Sequence, residues 1–349
     1  MKILVWTGVK VGDGSFHYRI NAPLSEARFQ GLVEWSFSEH LDEKLIEGID
    51  VLVVQRMLTP HHVEAIEMIR ESWPRITIVS EYDDDMLSTR PDNPAFHQGQ
   101  TDPAAAYAYY QREVIPALRR GLDVVDRVTV STPVLRARLQ AETSTPVDCL
   151  PNTVDPVLFE VPAPRRADGE QLRVGWAGSA THDVDWRDAA TGVRKGLARG
   201  RAHLAMMGAD YRFMLGVKDA SFVPWAHAMD EYYLQLTTWH VALAPLADDP
   251  FNRSKSAVKA LEAGALGLPI VASHAGPYPD LVVDGETGFL CRSNADWERA
   301  LRVLAFDEDA RVAMGAKARE HVRSLNTADW APRWVESYRQ AMATNLAAV

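Results

Sequence analysis

Short apolar runs alternate with longer amphipathic segments along this chain of 349 residues. The runs are rich in β-branched residues and end in polar or turn residues, which is typical of buried strands. They occupy residues 2–6, 51–55, 77–80, 128–131, 172–176, 203–207, 241–244 and 270–272. Helical periodicity appears between them, at residues 60–71, 104–120, 228–236 and 256–265. This strand–helix–strand alternation predicts an α/β protein with doubly wound, Rossmann-like parallel sheets.

The alternation stops once and then restarts. Residues 161–171 read VPAPRRADGEQ, a mixture of prolines, glycine and charges that is typical of a linker. We therefore predict an N-terminal domain over residues 1–160, a linker over 161–171 and a C-terminal domain over 172–326. The length of the chain fits two domains better than one.

Residues 327–349 carry aromatic side chains at helical spacing. Trp330, Trp334 and Tyr338 lie at i, i+4 and i+8, so they share one face of a predicted helix over 327–343. Such a stripe usually faces a core. We predict that this helix crosses back and packs on the first domain, although the spacing equally fits a helix that covers its own domain.

Composition and charge exclude several classes of protein. Hydrophobic residues make up 47% of the chain and charged residues 24%, which excludes a disordered chain or a fibre. The net charge of −10 argues against broad nonspecific binding of nucleic acid, but it permits a local basic cleft. Two cysteines form no disulfide framework, and no apolar stretch approaches the ~20 residues of a membrane span. We expect a cytoplasmic protein without an export signal.

The most informative segment covers residues 249–290. It contains the string NRSKS at 252–256, which predicts a helix start with small polar caps and two cations, a favourable place for an anion. Glu262 follows Lys255 by two helical turns, about 10 Å along a continuous helix. A phosphate and a hydroxyl-rich group would fit that spacing, whereas a Lys–Glu pair alone is usually a solvated helix face.

The ordered string resembles the C-terminal signature of GT-B fold glycosyltransferases, in particular the retaining group 1, or family four, enzymes. A helix ends in Glu262-Ala263, and a Gly-x-Pro-Ile-Val-Ala-Ser strand follows at 267–273. A Gly-Pro turn at 276–277 and an Asp-Gly-x-x-Gly-Phe-Leu loop at 284–290 complete the family order. Further similar segments are the Pro-Asn-x-Val-Asp junction at 151–155 and the nucleobase loop at 221–225.

Two departures from the family are visible. Ser254 stands where the family usually has the first of two glutamates, the one that contacts the donor sugar. The family's Arg and Lys after the first strand of the second domain are replaced by the string Gly178-Ser179-Ala180-Thr181-His182. A subset of bacterial and phage glycosyltransferases is similar, with Asn-x-Ser-Lys-Ser in place of the first glutamate.

The resemblance implies a nucleotide-diphosphate sugar, with a UDP-sugar as the first choice, bound against the second domain in a cleft. Glu262 would bind the ribose hydroxyls, Val223 would receive the base, and a locally basic pocket would hold the diphosphate. The expected donor-binding residues are Gly178, Ser179, His182, Phe222, Val223, Trp225, Asn252, Ser254 and Glu262. The expected catalytic residues are Lys255, Arg253 and Asp84.

The first domain is expected to bind the acceptor. Residues 80–85, SEYDDD, end a predicted strand, and ligands bind at the carboxyl ends of strands in open α/β sheets. Carboxylates there could orient hydroxyls, act as a base or hold a divalent ion, and helix capping fits them nearly as well. The expected acceptor-binding residues are Ser15, His17, Tyr18, Arg19, Asp83 and Asp85, whereas His97 fits an incidental surface position better. No metal site and no tightly bound cofactor are expected, since GT-B enzymes usually need neither.

The predicted function is a hexosyl- or pentosyl-type glycosyltransferase of GT-B fold, acting with retention. The acceptor would be a glycan or, as for phage-type enzymes, a modified base in DNA. Two alternatives stay open. One is a nucleotide-sugar epimerase of the same fold, and the other is a non-catalytic module that binds sugar nucleotides or glycans.

Overall fold

A computed structural model describes residues 1–10, 12–56, 59–89, 102–226 and 228–348. His97 and its loop therefore lie outside the described residues. The chain divides into two compact units. The first comprises Met1–Thr153, Ser254–Ser256 and Thr327–Val349, and the second comprises Val154–Arg253 and Ala257–Asn326. Compared with the predicted boundaries, the first unit ends seven residues earlier and gains a three-residue segment from the middle of the predicted second domain.

Six strands build the sheet of the first unit: β1 (Lys2–Thr7), β2 (Glu34–Ser38), β3 (Val51–Gln55), β4 (Thr77–Tyr82), β5 (Arg127–Val130) and β6 (Val147–Cys149). All pair in parallel, in the order β2-β1-β3-β4-β5-β6. Every residue of β3, β4 and β5 is buried, as expected for strands covered on both faces.

The helices of the first unit alternate with these strands. They are α1 (Gly14–Phe16), α2 (Ala22–Phe29), α3 (Glu43–Ile46), α4 (Pro60–Ser72), α5 (Pro103–Tyr109), α6 (Ile115–Asp123) and α7 (Pro133–Gln140), with π-helical turns at His17–Asn21 and Tyr110–Val114. Asp102 caps α5 and Thr132 caps α7 through side-chain bonds to backbone N–H groups, and proline follows each cap.

The second unit repeats this architecture. Its strands are β7 (Arg173–Gly178), β8 (His203–Gly208), β9 (Ala220–Val223), β10 (Val241–Ala244), β11 (Ile270–Ser273) and β12 (Gly288–Cys291), paired in parallel in the order β12-β11-β10-β7-β8-β9. Its helices are α8 (Asp183–Arg187), α9 (Ala190–Gly200), α10 (Arg212–Leu215), α11 (Met229–Leu236), α12 (Pro250–Arg253), α13 (Val258–Ala265), α14 (Tyr278–Leu281), α15 (Asn294–Phe306) and α16 (Glu308–Val322), with 3₁₀ turns at Pro156–Glu160 and Ala180–His182. The predicted linker, 161–171, contains no helix or strand.

The final helix, α17 (Thr327–Ala348), completes the core of the first unit. Trp334 and Tyr338 are fully buried there, in one cluster with Ile3, Val5 and Val53 of the sheet. The aromatic stripe of the sequence is therefore a core face of the first unit. Within the described residues, no helix has both the length and the apolar character needed to cross a bilayer.

The predicted helix over 256–265 begins two residues later, so Lys255 and Glu262 do not share a continuous helix. Helix α12 ends at Arg253, and α13 begins only at Val258. The carbonyl of Ser254, which a continuous helix would bond to its own backbone, accepts from the Thr132 hydroxyl at 2.8 Å. The Ser256 hydroxyl accepts from the amide of Asn152 at 2.8 Å. These bonds tie Ser254–Ser256 to the first unit.

Replacing Trp334 with alanine tests the role of α17. The indole is fully buried, so Trp334→Ala should lower the free energy of unfolding of the first unit by about 3–5 kcal/mol. Urea unfolding measures the loss, with the exposed Leu346→Ala on the same helix as the control. Equal midpoints for the two variants would contradict this packing.

Candidate active site

The carboxyl end of β7 forms a loop suited to an anion. Gly178 ends the strand with the ring of Trp176 so close that a Cβ at 178 would lie 2.5 Å from it. Ser179 is exposed directly afterwards, and its hydroxyl lies 2.8 Å from that of Thr181. A glycine–serine turn at a strand end, followed by a helical turn, lets a phosphate approach backbone N–H groups.

His182 stands at the end of this loop, and Asn252 supports it indirectly. The imidazole Nδ1 lies 2.6 Å from Oδ2 of Asp185. The Asn252 side-chain amide donates to Oδ1 of Asp185 at 3.0 Å and is buried. Asn252 thus supports His182 through Asp185, and its direct contact with a donor stays a prediction. Asp185 was missed because no motif of the sequence marks it.

The side chains of the predicted nucleobase loop, 221–225, lie on both faces of β9. Val223 is exposed and lines a cavity of about 430 Å³ together with Met207 and Trp239. Phe222 packs against the core of the second unit instead, as alternation along a strand requires, so it does not share that cavity. Trp225 is 42% exposed, and its ring covers Gly208, whose φ of +93° favours glycine.

Glu262 is only 2% exposed, because Tyr232 covers it. The Tyr232 hydroxyl donates to Oε2 of Glu262 at 2.8 Å, and the Tyr232 ring lies 5.8 Å from that of Trp225. Burial, and then the charge of Glu262, raise the pKa of Tyr232 well above its ordinary value. The phenol therefore stays protonated and remains a donor to the carboxylate.

The residues of the predicted basic pocket belong to different units. The guanidinium of Arg253 is exposed and forms a bidentate salt bridge with Asp248, with N···O distances of 2.7 and 3.0 Å. The carboxylate therefore balances the charge of Arg253 locally. Ser254 is buried and belongs, together with Lys255, to the first unit. Direct contact of Arg253 or Ser254 with a diphosphate stays a prediction.

At the carboxyl edge of the first sheet, Arg56 organises two of the predicted aspartates. Its Nε donates to Asp83 at 2.9 Å, and its Nη2 donates to Asp84 at 3.2 Å and to the Ser15 hydroxyl at 2.8 Å. The backbone of Arg56 has a φ of +57°, a conformation that costs a non-glycine residue about 1 kcal/mol. Sequence reasoning missed Arg56, since nothing in the pattern marks that strain.

The same cluster includes Lys255. Its ammonium lies 3.6 Å from Oδ1 of Asp84, and both side chains remain partly exposed. Burial tends to raise the pKa of Asp83, but the charge of Arg56 and bonds from Ser15 and Arg56 hold it below its usual value. Two cations and two carboxylates thus form a nearly neutral cluster.

Three predicted acceptor-binding residues are buried. Arg19 is fully enclosed and pairs with Glu81 at 2.6 Å, and it also donates to the Leu150 carbonyl. Tyr18 is buried beside the half-buried His17. Asp85 is buried, where it accepts from the Leu87 N–H at 3.1 Å. These corrections leave Ser15, His17 and Asp83, with Asp84, as the accessible part of the predicted set. Among the described residues, no group of three or more His, Cys, Asp or Glu side chains is arranged to hold a metal ion.

The fold is the GT-B arrangement of two Rossmann-like units, and solved glycosyltransferases share it. Sucrose-phosphate synthase from Thermosynechococcus elongatus superposes with a TM-score of 0.66 at 17% identity, covering 98% of this chain and 99% of that one. Anabaena Alr3699/HepE, in complex with UDP and glucose, superposes with a TM-score of 0.61 at 14% identity over the full length of both chains. These likenesses establish the fold.

The family resemblance is confirmed for part of the second unit. Residues 217–321 match the model of the glycosyl transferases group 1 family. The D-inositol 3-phosphate glycosyltransferase of Corynebacterium glutamicum (strain R) is 38% identical over 95 residues, 27% of this chain and 22% of that protein. The enzyme of that name from Paenarthrobacter aurescens (strain TC1) is 34% identical over 111 residues, 31% and 27% of the two chains. The chain thus matches about a quarter of the length of these relatives.

Replacing Arg56 with methionine tests its hold on Asp83. Without the cation, the free-energy cost of burying the Asp83 carboxylate is no longer offset by its ion pair. Arg56→Met should therefore lower the free energy of unfolding by about 2 kcal/mol at neutral pH. A depressed carboxyl pKa stabilises the folded state above the unfolded-state pKa, and this contribution is lost as the pH falls through the folded-state pKa. The difference from the wild type should therefore close below about pH 3.

Urea unfolding from pH 7 to pH 2.5 measures this difference. Arg112→Met, which removes an exposed pair with Glu113, is the control and should change stability little at any pH. A gap between Arg56→Met and the wild type that stays constant over the whole range would contradict the pairing.

Proposed function

We propose that this protein is a glycosyltransferase that moves a sugar from a nucleotide-diphosphate sugar to an acceptor hydroxyl. One observation carries the proposal. The segment that matches the group 1 family, 217–321, contains Glu262 and places Val223 at the carboxyl end of β9, in the same sheet whose strand β7 ends in the Gly178–Ser179 anion loop.

In the proposed donor complex, the diphosphate lies on the Gly178–Ser179 loop and the base lies beside Val223. Negative charge develops on the diphosphate as the bond to the sugar breaks, and preoriented N–H groups stabilise it without reorganisation. A UDP-hexose is the donor we favour, since the structures of Alr3699/HepE contain UDP-glucose or UDP with glucose.

Glu262 is proposed to bind the ribose hydroxyls. Its Oε2 already accepts from Tyr232, so ribose must either replace that bond or use Oε1. Because the ring of Tyr232 lies against that of Trp225, a shift of Tyr232 on binding should move the exposed indole as well.

The acceptor is proposed to bind at the edge formed by Ser15, Asp83 and Asp84. Asp84 is the proposed base, and Lys255, 3.6 Å away, is its proposed electrostatic partner. We propose same-face attack with retention, in which the leaving phosphate helps to deprotonate the acceptor. A glycan hydroxyl suits this nearly neutral cluster better than a polyanion such as DNA.

A donor panel tests the proposal. UDP-, GDP- and ADP-sugars are screened by thermal shift, because a ligand that binds only the folded state raises its stability. Transfer to glycan acceptors and to DNA with hydroxymethylated bases is then measured with the donor that binds. Conversion of the donor without acceptor would instead indicate an epimerase, and binding without turnover a non-catalytic module.

Glu262→Gln should weaken donor binding by about 10–100-fold, since a charge-assisted bond to a ribose hydroxyl contributes about 1.5–3 kcal/mol. Gln can still accept from Tyr232, so the fold should be retained. Glu286→Gln, at an exposed carboxylate paired with Lys317, is the matched control. Unchanged donor affinity in Glu262→Gln, measured by calorimetry, would rule out the ribose contact.

Asp84→Asn should lower kcat for transfer by about 100-fold and leave donor affinity unchanged, because loss of a general base affects the chemical step. Steady-state kinetics and calorimetry separate the two effects. Asp42→Asn, an exposed helix cap of the same unit, is the control. An equal loss of donor affinity and kcat would remove Asp84 from the acceptor side.

A further inference from the structure

Asp185 is a buried carboxylate that fixes His182 at the end of β7. It is 4% exposed and lies in the first turn of α8. Its Oδ2 faces Nδ1 of His182 at 2.6 Å, and its Oδ1 accepts from the Ala247 N–H at 2.8 Å and from the Asn252 amide at 3.0 Å. Two donors other than the histidine therefore hold the carboxylate in place, so the orientation of the imidazole follows from the fold.

The far edge of this imidazole lies over the proposed diphosphate loop. A Cβ added at Gly178 would come within 3.0 Å of Cδ2 of His182, the carbon bonded to Nε2. The backbone N–H of His182 donates to the Tyr211 hydroxyl at 3.2 Å, and that hydroxyl donates to the Ser179 carbonyl at 3.3 Å. Loop and ring are thus anchored to the same tyrosine.

We infer, on the basis of the proposed function, that His182 is the acid that donates a proton to the leaving diphosphate. Asp185 is the positioning residue that orients the imidazole of His182. Asp185 accepts from Nδ1–H, which directs Nε2–H toward the β-phosphate and stabilises the imidazolium. When the bond between the sugar C1 and the phosphate oxygen breaks, its electron pair stays on that oxygen, which takes the Nε2 proton. The acceptor hydroxyl forms the new bond to C1 and loses its own proton to the proposed base, Asp84. Asp84 then releases that proton to solvent, from which His182 is reprotonated.

The groups around the ring favour the charged form once a diphosphate is bound. Asp185 faces it from α8, Tyr211 faces it from the residue before α10, and the ring of Trp176 stands edge-on at 5.7 Å. Burial raises the pKa of Tyr211 to about 12, so the phenol is neutral at pH 7. The Asp185 carboxylate and the diphosphate are then charges that act on His182, and both favour the imidazolium.

Proton uptake on binding of UDP tests this inference. Calorimetry at pH 7.5, where an ordinary histidine is mostly neutral, is run in two buffers of different ionisation enthalpy, PIPES and Tris. The wild type should take up a fraction of a proton for each UDP bound. His182→Gln should abolish the uptake, and Asp185→Asn should reduce it and weaken UDP binding by about tenfold.

Asp219→Asn is the matched control. It removes the carboxylate from a second Asp–His pair of the same unit, Asp219 with His203 at 2.7 Å, and should leave the uptake unchanged. His182→Gln leaves the buried bonds of Asp185 to Ala247 and Asn252 intact, so it remains informative even if Asp185→Asn fails to fold.

The outcomes separate this inference from the proposed function. UDP binding without proton uptake, or with the same uptake in His182→Gln as in the wild type, would overturn the role of His182 and leave the proposed function standing. Uptake unchanged in a folded Asp185→Asn would overturn the positioning role. If none of UDP, GDP and ADP binds, the proposed function itself fails.

Discussion

Parallel pairing is the constraint on which both candidate sites depend. Each six-stranded sheet has all its strands running in one direction, so the carboxyl ends of the strands meet along a single edge. In the first unit, this edge brings Arg56 from the end of β3 to Asp83 and Asp84 from the end of β4. In the second unit, it places the Gly178–Ser179 loop and His182 after β7. Residues that are distant in sequence become neighbours because of strand direction.

Burial decides which polar residues serve structure and which remain available for chemistry. Arg19 and Glu81 form an enclosed ion pair that also engages Thr129, Asn152 and the Leu150 carbonyl. Removing one partner of such a pair leaves an uncompensated charge, which costs about 3–5 kcal/mol. Arg56 makes comparable bonds from a partly exposed position. The fold covers Arg19 completely and leaves Arg56 partly exposed.

The sequence predicted the α/β class and eight of the strands, and the four strands that it missed share one property. They are β2, β6, β9 and β12, the outer strands of the two sheets. Inner strands are covered on both faces and read as continuous apolar runs, whereas β2 and β9 are short and largely exposed. Periodicity detects a strand through its burial, which accounts for β2 and β9, whereas β12 is mostly buried and was missed because its segment was assigned to a loop.

The candidate site was predicted in part, for a related reason. Glu262, Val223 and Ser179 lie in segments with a recognisable order, but Arg56 and Asp185 act through distant partners that no local pattern encodes. The helix break at 254–257 was also missed, because bonds to Thr132 and Asn152 cause it. Local propensity predicts elements, whereas contacts between remote segments decide where the elements stop.

The position of α17 also sets the order in which the chain completes its folding. Trp334 and Tyr338 belong to the core of the first unit, but they follow the whole of the second unit in the sequence. Every residue of the second unit has been made before these side chains exist. A nascent chain usually folds its amino-terminal domain first. Here the first unit keeps part of its apolar core uncovered until α17 has been made. The second unit, whose sequence lies between segments of the first, is therefore the first that can fold completely.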